Sequence, residues 1–188
     1  MVEKKFISAQ ELLEDSIRLG IKVYESGFRP HFIVGIWRGG TPVGIAVQEL
    51  LDYFEVRTDH IAIRTSSYKG INERDSEIRV HGLGYLESHT NAEDSLLIVD
   101  DVYDSGLSVQ AVVSNLRERS RKNTPHDIRI ATVYYKPSNN KTLSVPDYYI
   151  HETDQWLVFP HELDGLSHEE IIKYKPFAAK LIEGVKRS

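Results

Sequence analysis

Hydrophobic positions recur along this chain with two periods. Over residues 9–26, Leu12, Leu13, Ile17, Ile21 and Tyr24 return at helical spacing, with Ser8 placed to cap the run and Gly27 to close it. HFIVGIWRGG is a short apolar run ending in glycines and TPVGIAVQELLDYF has helical character, so together they predict strand, tight loop, helix. A second strand is expected over RTDHIAIR, residues 57–64. The stretch 65–77, TSSYKGINERDSE, is polar and lacks an apolar period, which predicts a mobile loop. A strand at 96–99 (LLIV) and a helix over about 107–119 come next, then a strand in DIRIATVYYKP that Pro137 halts, and a short strand in SVPDYYIHE. QWLVFPHEL is expected to be an aromatic turn with no regular structure. The tail HEEIIKYKPFAAKLIEG is helical, kinked or split at Pro176. Strands alternating with helices predict an α/β fold, a central parallel sheet flanked by helices.

The length, 188 residues, suits one domain over 1–188, with 164–188 as a helical extension. Hydrophobic content of 40% and charged content of 27% are ordinary for a globular protein. A net charge of -5 supplies no basic field, so nucleic acid is not the expected partner. The chain has no cysteine, which fits a reducing compartment. No stretch approaches the ~20 apolar residues of a membrane span, and the first residues lack a secretory apolar core. The expectation is a cytoplasmic protein that does not bind membranes.

Chemistry concentrates in LLIVDDVYDSGLSV, residues 96–109. An all-aliphatic run marks a strand buried on both faces, and ligands of open α/β sheets gather beyond the carboxyl ends of such strands. Asp100 and Asp101 therefore face a crevice. Asp104-Ser105-Gly106-Leu107-Ser108 follows at a helix start, where backbone N–H groups and hydroxyls make an anion seat. Acids beside a phosphate need separate tasks. Ribose hydroxyls and a hydrated magnesium are both natural partners for Asp100 and Asp101.

The whole pattern resembles the signature of type I phosphoribosyltransferases, with Ser108 where the family often has threonine. The resemblance implies a phosphoribosyltransferase fold with a small base-binding hood. It also implies that Asp100 and Asp101 hold the ribose hydroxyls of 5-phosphoribosyl 1-diphosphate, that residues Asp104, Ser105, Gly106, Leu107 and Ser108 hold its 5′-phosphate, and that Asp104 lies near the base as the catalytic residue. IWRGGTPVG looks like the pyrophosphate loop of the purine branch, with Trp37, Arg38, Gly39 and Gly40 in the binding positions; Trp37–Arg38 is the candidate for the non-proline cis peptide often found there. Ser66, Ser67 and Tyr68 resemble the Ser-Tyr pair of that family's flexible catalytic loop.

The same resemblance assigns the base pocket. Lys136-Pro137 is similar to the lysine that donates to O6 of an oxopurine, Asp154-Gln155-Trp156 looks like the segment supplying a stacking ring, and main-chain groups around Leu157 would read the ring edge. Glu162 resembles a carboxylate that assists a second magnesium, so the implied metal residues are Asp100, Asp101 and Glu162, with Mg2+ as cofactor. The implied activity is purine salvage: transfer of the phosphoribosyl group to N9 of hypoxanthine, guanine or xanthine by a homodimeric or homotetrameric enzyme. Two other readings compete: a regulator of the same fold that binds nucleic acid, disfavoured by the acidic charge, and a phosphoacceptor receiver domain, disfavoured by the late position of the acid pair. Tyr103 receives no role.

Overall fold

The computed structural model describes residues 4–69 and 76–185. In chain order the strands are β1 (Lys4–Phe6), β2 (Phe32–Trp37), β3 (Asp59–Lys69), β4 (Ser76–His81), β5 (Ser95–Tyr103), β6 (Asp127–Tyr135), β7 (Tyr148–Glu152) and β8 (Trp156–Val158). The helices are α1 (Ala9–Glu25), α2 (Gly40–Tyr53), α3 (Gly84–His89), α4 (Leu107–Ser120), α5 (His168–Tyr174) and α6 (Pro176–Ile182). Among the described residues no helix is long and apolar enough to cross a membrane.

The larger of two compact units, Leu13–Asp154, is built on a six-stranded sheet of order β4-β3-β2-β5-β6-β7, parallel throughout except for the β3–β4 pair. Its centre is apolar because β2 and β5 have neighbours on both edges and helices over their faces: Val34, Leu96, Ile98 and Val99 are fully or almost fully buried. Val112 and Leu116 of α4 join this core with Leu83 and Leu86 from the α3 region. The register Gly35↔Val99 and Tyr103↔Tyr135 brings the carboxyl ends of β2, β5 and β6 to one edge of the sheet.

The smaller unit is drawn from the chain's two ends, up to Leu12 and from Gln155 onward. The residues expected to form a helical extension, 164–188, belong to it together with β1 and β8, which pair in parallel at Lys4↔Trp156 and Phe6↔Val158. Ser8 caps α1 in a reciprocal box: its hydroxyl accepts from the Glu11 N–H at 3.1 Å and the Glu11 carboxylate accepts from the Ser8 N–H at 2.8 Å. The tail divides at Pro176 as expected, into α5 and α6. Lys4 pairs with Glu170 at 2.6 Å and Phe6 stacks on Tyr174 at 3.9 Å, fastening the tail to the first strand.

Two expectations need correction. Residues 65–69 continue β3 and 76–77 open β4, so the described part of the stretch expected to be a loop lies in two antiparallel strands, with Thr65↔Val80 and Ser67↔Ile78 in register; residues 70–75 of that stretch lie outside the described residues. An antiparallel ladder is held by backbone hydrogen bonds, and Thr65, Ser66 and Ser67 carry no apolar side chain, so this end of β3 shows no period of its own. The aromatic turn expected in QWLVFPHEL contains β8, a strand of three residues. Three residues are too few to display alternation, and the partner β1 lies almost the whole chain away.

Candidate active site

At the carboxyl end of β5, Asp101 is buried and Asp100 half-buried. The Asp101 N–H donates to Asp100 Oδ1 at 3.0 Å, and the Val102 N–H donates to Asp101 Oδ1 at 2.8 Å. Burial first, and the charge of Asp101 second, push the Asp100 carboxyl well above the usual carboxylate range. Two crowded acids of this kind gain from hydroxyl donors or a cation.

Across the sheet edge, β2 ends in a Trp37–Arg38 peptide bond that is cis, with both side chains exposed. The glycines that follow are demanded by space. A Cβ on Gly39 would overlap the Asp101 carboxylate, and one on Gly40 would overlap the Val99 carbonyl. Only a bare backbone lets the loop lie this close to the acids. Gly40 opens α2, so the positive end of a 14-residue helix begins two residues after Arg38.

The turn after β5 is equally confined. Gly106 caps α4 in the left-handed region, at φ 76°. Beneath it, a Cβ would meet the Tyr103 hydroxyl at 2.5 Å and Thr142 Oγ1 at 2.7 Å. Tyr103, without a role at the sequence level, is thus the floor of the turn: its hydroxyl lies 3.0 Å from Thr142 Oγ1 and donates to the Ser144 carbonyl at 3.1 Å. Burial pushes its phenol up. The Lys141 N–H donates to the Ser105 carbonyl at 3.0 Å, and the Leu107 N–H reaches Ser105 Oγ at 3.4 Å. Ser108 lies in the first turn of α4.

Asp104 receives two donors. Lys136 Nζ reaches Oδ2 at 3.1 Å and Asn139 Nδ2 donates to Oδ1 at 2.9 Å. The Lys136 side chain is mostly buried, whereas that of Asp104 is about half exposed (46%). Asn139 was not foreseen. Its signal was present in the spacing: Pro137 starts a 3-10 turn over Pro137–Asn139, and residues three apart in such a turn share a face, which puts Asn139 under Lys136.

The remaining sequence candidates stand on other elements. Ser66 and Ser67 stand in β3 rather than in an irregular loop, Ser66 Oγ 3.4 Å from His81 Nε2; the backbone of Tyr68 pairs with Glu77. In the smaller unit, Trp156 opens β8 with its ring exposed, and the Leu157 side chain is buried. Glu162 accepts from the Phe159 N–H at 2.8 Å, so one of its oxygens is engaged in its own turn. Lys175, buried and with its ammonium pushed down by that burial, donates to the carbonyls of Phe159 and Pro160. Among the described residues no three His, Asp or Glu side chains gather as a metal cage.

A phosphoribosyl transferase domain is matched over residues 6–166, most of the chain and all of the geometry above that belongs to the sheet. The chain belongs to the phosphoribosyltransferase family. Across 190 aligned residues it is 25% identical to the hypoxanthine-guanine phosphoribosyltransferase of Bacillus subtilis, covering 100% of this chain and 97% of that protein. The crystal structure of a purine phosphoribosyltransferase from Pyrococcus horikoshii superposes with a TM-score of 0.70 at 28% identity, covering 87% of this chain and 97% of the other. The xanthine-guanine-hypoxanthine phosphoribosyltransferase of Helicobacter pylori, 22% identical, shares the fold with a TM-score of 0.66 over 86% of this chain and 96% of its own. As a phosphoribosyltransferase, the chain uses the α/β sheet expected from its alternating strands and helices.

Proposed function

We propose that this phosphoribosyltransferase works in purine salvage, joining a 6-oxopurine to the phosphoribosyl group of 5-phosphoribosyl 1-diphosphate to give the nucleoside 5′-monophosphate and diphosphate. The observation that carries the reading is the Lys136–Asp104 pair at the ends of adjacent strands, beside the confined turn at Gly106. An ammonium donor matches the 6-oxo group of hypoxanthine, guanine or xanthine and mismatches the 6-amino group of adenine. Two relatives named as purine or hypoxanthine-guanine enzymes support the same choice.

Each part of the site has a task in this reading. The turn Asp104–Ser108 seats the 5′-phosphate at the start of α4. Asp100 and Asp101 accept the ribose hydroxyls. Trp37, Arg38, Gly39 and Gly40 form the loop that receives the diphosphate as it leaves, with the guanidinium and the start of α2 balancing its charge. The side chain of Asp104 takes the proton from N7 while N9 bonds to C1 of the ribose, a contribution of roughly 10²–10⁴ in rate for proton transfers of this type. Trp156 is the ring assigned to the purine face, with main-chain groups at Leu157 reading its edge, and Ser66, Ser67 and Tyr68 are assigned to covering the diphosphate against water.

Magnesium fits the chemistry of the acids. Asp100 and Asp101 offer only hard oxygen donors, they are crowded enough to raise the Asp100 carboxyl, and magnesium commonly uses one or two carboxylates together with substrate oxygens. When bound, the ion would neutralise the diphosphate. Glu162, turned toward the Phe159 N–H, is given no part. The reading places a self-associating enzyme in the cytoplasm. Its test is an assay of 5-phosphoribosyl 1-diphosphate and magnesium with hypoxanthine, guanine, xanthine, adenine, uracil and orotate. Monophosphates should form from the oxopurines; product from none of them, or from adenine in preference, would overturn it.

A further inference from the structure

The segment 136–144 does more than end β6. From it come the Lys136 ammonium and the Asn139 amide on the two oxygens of Asp104, the Lys141 N–H on the Ser105 carbonyl, and the Thr142 hydroxyl with the Ser144 carbonyl on Tyr103. The turn after β5 is therefore held from one side by a single stretch of chain. Within that stretch, Asn139 has a position of its own. Its backbone N–H donates to the Lys136 carbonyl at 3.2 Å, closing the 3-10 turn that Pro137 begins, and its side-chain amide stands on the same face as Lys136.

Resting on the proposed purine reading, we infer that Asn139 is a positioning residue for Asp104, holding Oδ1 so that Oδ2 faces the base when Lys136 turns to the purine 6-oxo group. Lys136 is asked to serve two partners, the carboxylate and the base. An acid held by the lysine alone would lose its orientation at the moment the base needs it. A neutral amide on the other oxygen, at 2.9 Å, keeps the carboxylate in place throughout. Asn139 is exposed at the end of the 3-10 turn, so its replacement does not open the core.

A double-mutant cycle tests this, with Asp104→Asn, Asn139→Ala and the double variant assayed on whichever base the wild type accepts. Wild-type turnover is the control for the purine reading: if no base is accepted, that reading falls and the inference with it. With an active wild type, Asn139→Ala should lower kcat about tenfold, the order expected for one charge-assisted hydrogen bond. The KM for 5-phosphoribosyl 1-diphosphate and the melting temperature should stay close to wild type. In the Asp104→Asn background the second substitution should cost almost nothing, because the side chain at 104 can no longer take the proton for which Asn139 positions it. An equal loss in both backgrounds, or wild-type kcat in Asn139→Ala, overturns the inference and leaves the purine reading standing.

Discussion

Lys136 and Asp104 meet at 3.1 Å because β5 and β6 run parallel with Tyr103 opposite Tyr135, so the residue after each strand leaves the sheet beside the other. The Lys136 N–H also donates to the Tyr103 carbonyl at 2.9 Å, which fixes the two exits together. An acid for the base proton and a donor for the base oxygen are thereby paired before any base is considered.

Removing the ammonium should separate base recognition from phosphoribosyl recognition. Lys136→Met is expected to lower kcat/KM for hypoxanthine by roughly 10–100-fold, the loss of one hydrogen bond from a charged donor. The KM for 5-phosphoribosyl 1-diphosphate should change by about twofold or less, since the ammonium touches the Asp104 carboxylate and not residues 105–108 of the turn. Steady-state kinetics with each substrate varied in turn decide it; a fall confined to the phosphoribosyl substrate contradicts the assignment.

Gly39 in the loop and Gly44 inside α2 should differ sharply. Gly39→Ala forces a methyl into the Asp101 carboxylate, whereas the nearest atom to a Cβ at Gly44 is 3.6 Å away, an ordinary contact. Calorimetric titration should find phosphoribosyl diphosphate binding abolished in Gly39→Ala and near normal in Gly44→Ala. Equal binding in the two would show that the loop relaxes freely away from the acids.

Tyr103→Phe removes a buried hydroxyl that joins Thr142 to the Ser144 carbonyl under Gly106. Urea unfolding should register about 1–2 kcal/mol of lost stability, the usual size for a buried hydrogen bond whose acceptor is left behind. A turn without its floor should also bind the 5′-phosphate less well. Unchanged stability together with unchanged phosphate affinity would remove Tyr103 from the support of the turn.

Asp100 makes the stability of the fold depend on pH in a defined direction. Its carboxyl is raised in the folded chain by burial and by Asp101, so the folded state holds the proton more tightly than the unfolded state does. The protonated form is therefore favourable at low pH, and the fold loses stability as pH rises from the ordinary carboxylate range through the raised value. Asp100→Asn should melt higher than wild type near pH 8 and show little advantage near pH 4, with phosphoribosyl diphosphate binding lost. Thermal melts across that range, without divalent cations, measure the difference; an advantage that grows toward acid pH contradicts the sign.

Much of this was legible from residues alone. LLIV had to be a doubly buried strand, and DDVYDSGLSV had to place acids and a helix start at its end, because aliphatic runs, adjacent carboxylates and an Asp-Ser-Gly turn each have few physical settings. Local pattern also located α1 with Ser8 as its cap and the break at Pro176. The continuation of β3 past residue 64 and its pairing with β4 escaped, since that order comes from backbone pairing and not from side-chain period. So did β1 and β8, three residues each, joined only because the chain's ends come together.

Tertiary structure alone decided which of these parts touch. The closeness of Gly39 to Asp101 depends on β2 lying beside β5, and Tyr103 acquires its role from residues about forty positions later. Asn139 belongs to the same class: its chemistry is unremarkable in sequence, and only the β5–β6 register carries it to Asp104. Sequence determined the chemical groups and the local bends that present them. The pairing of distant strands, driven by burial of their shared apolar faces, determined the partners.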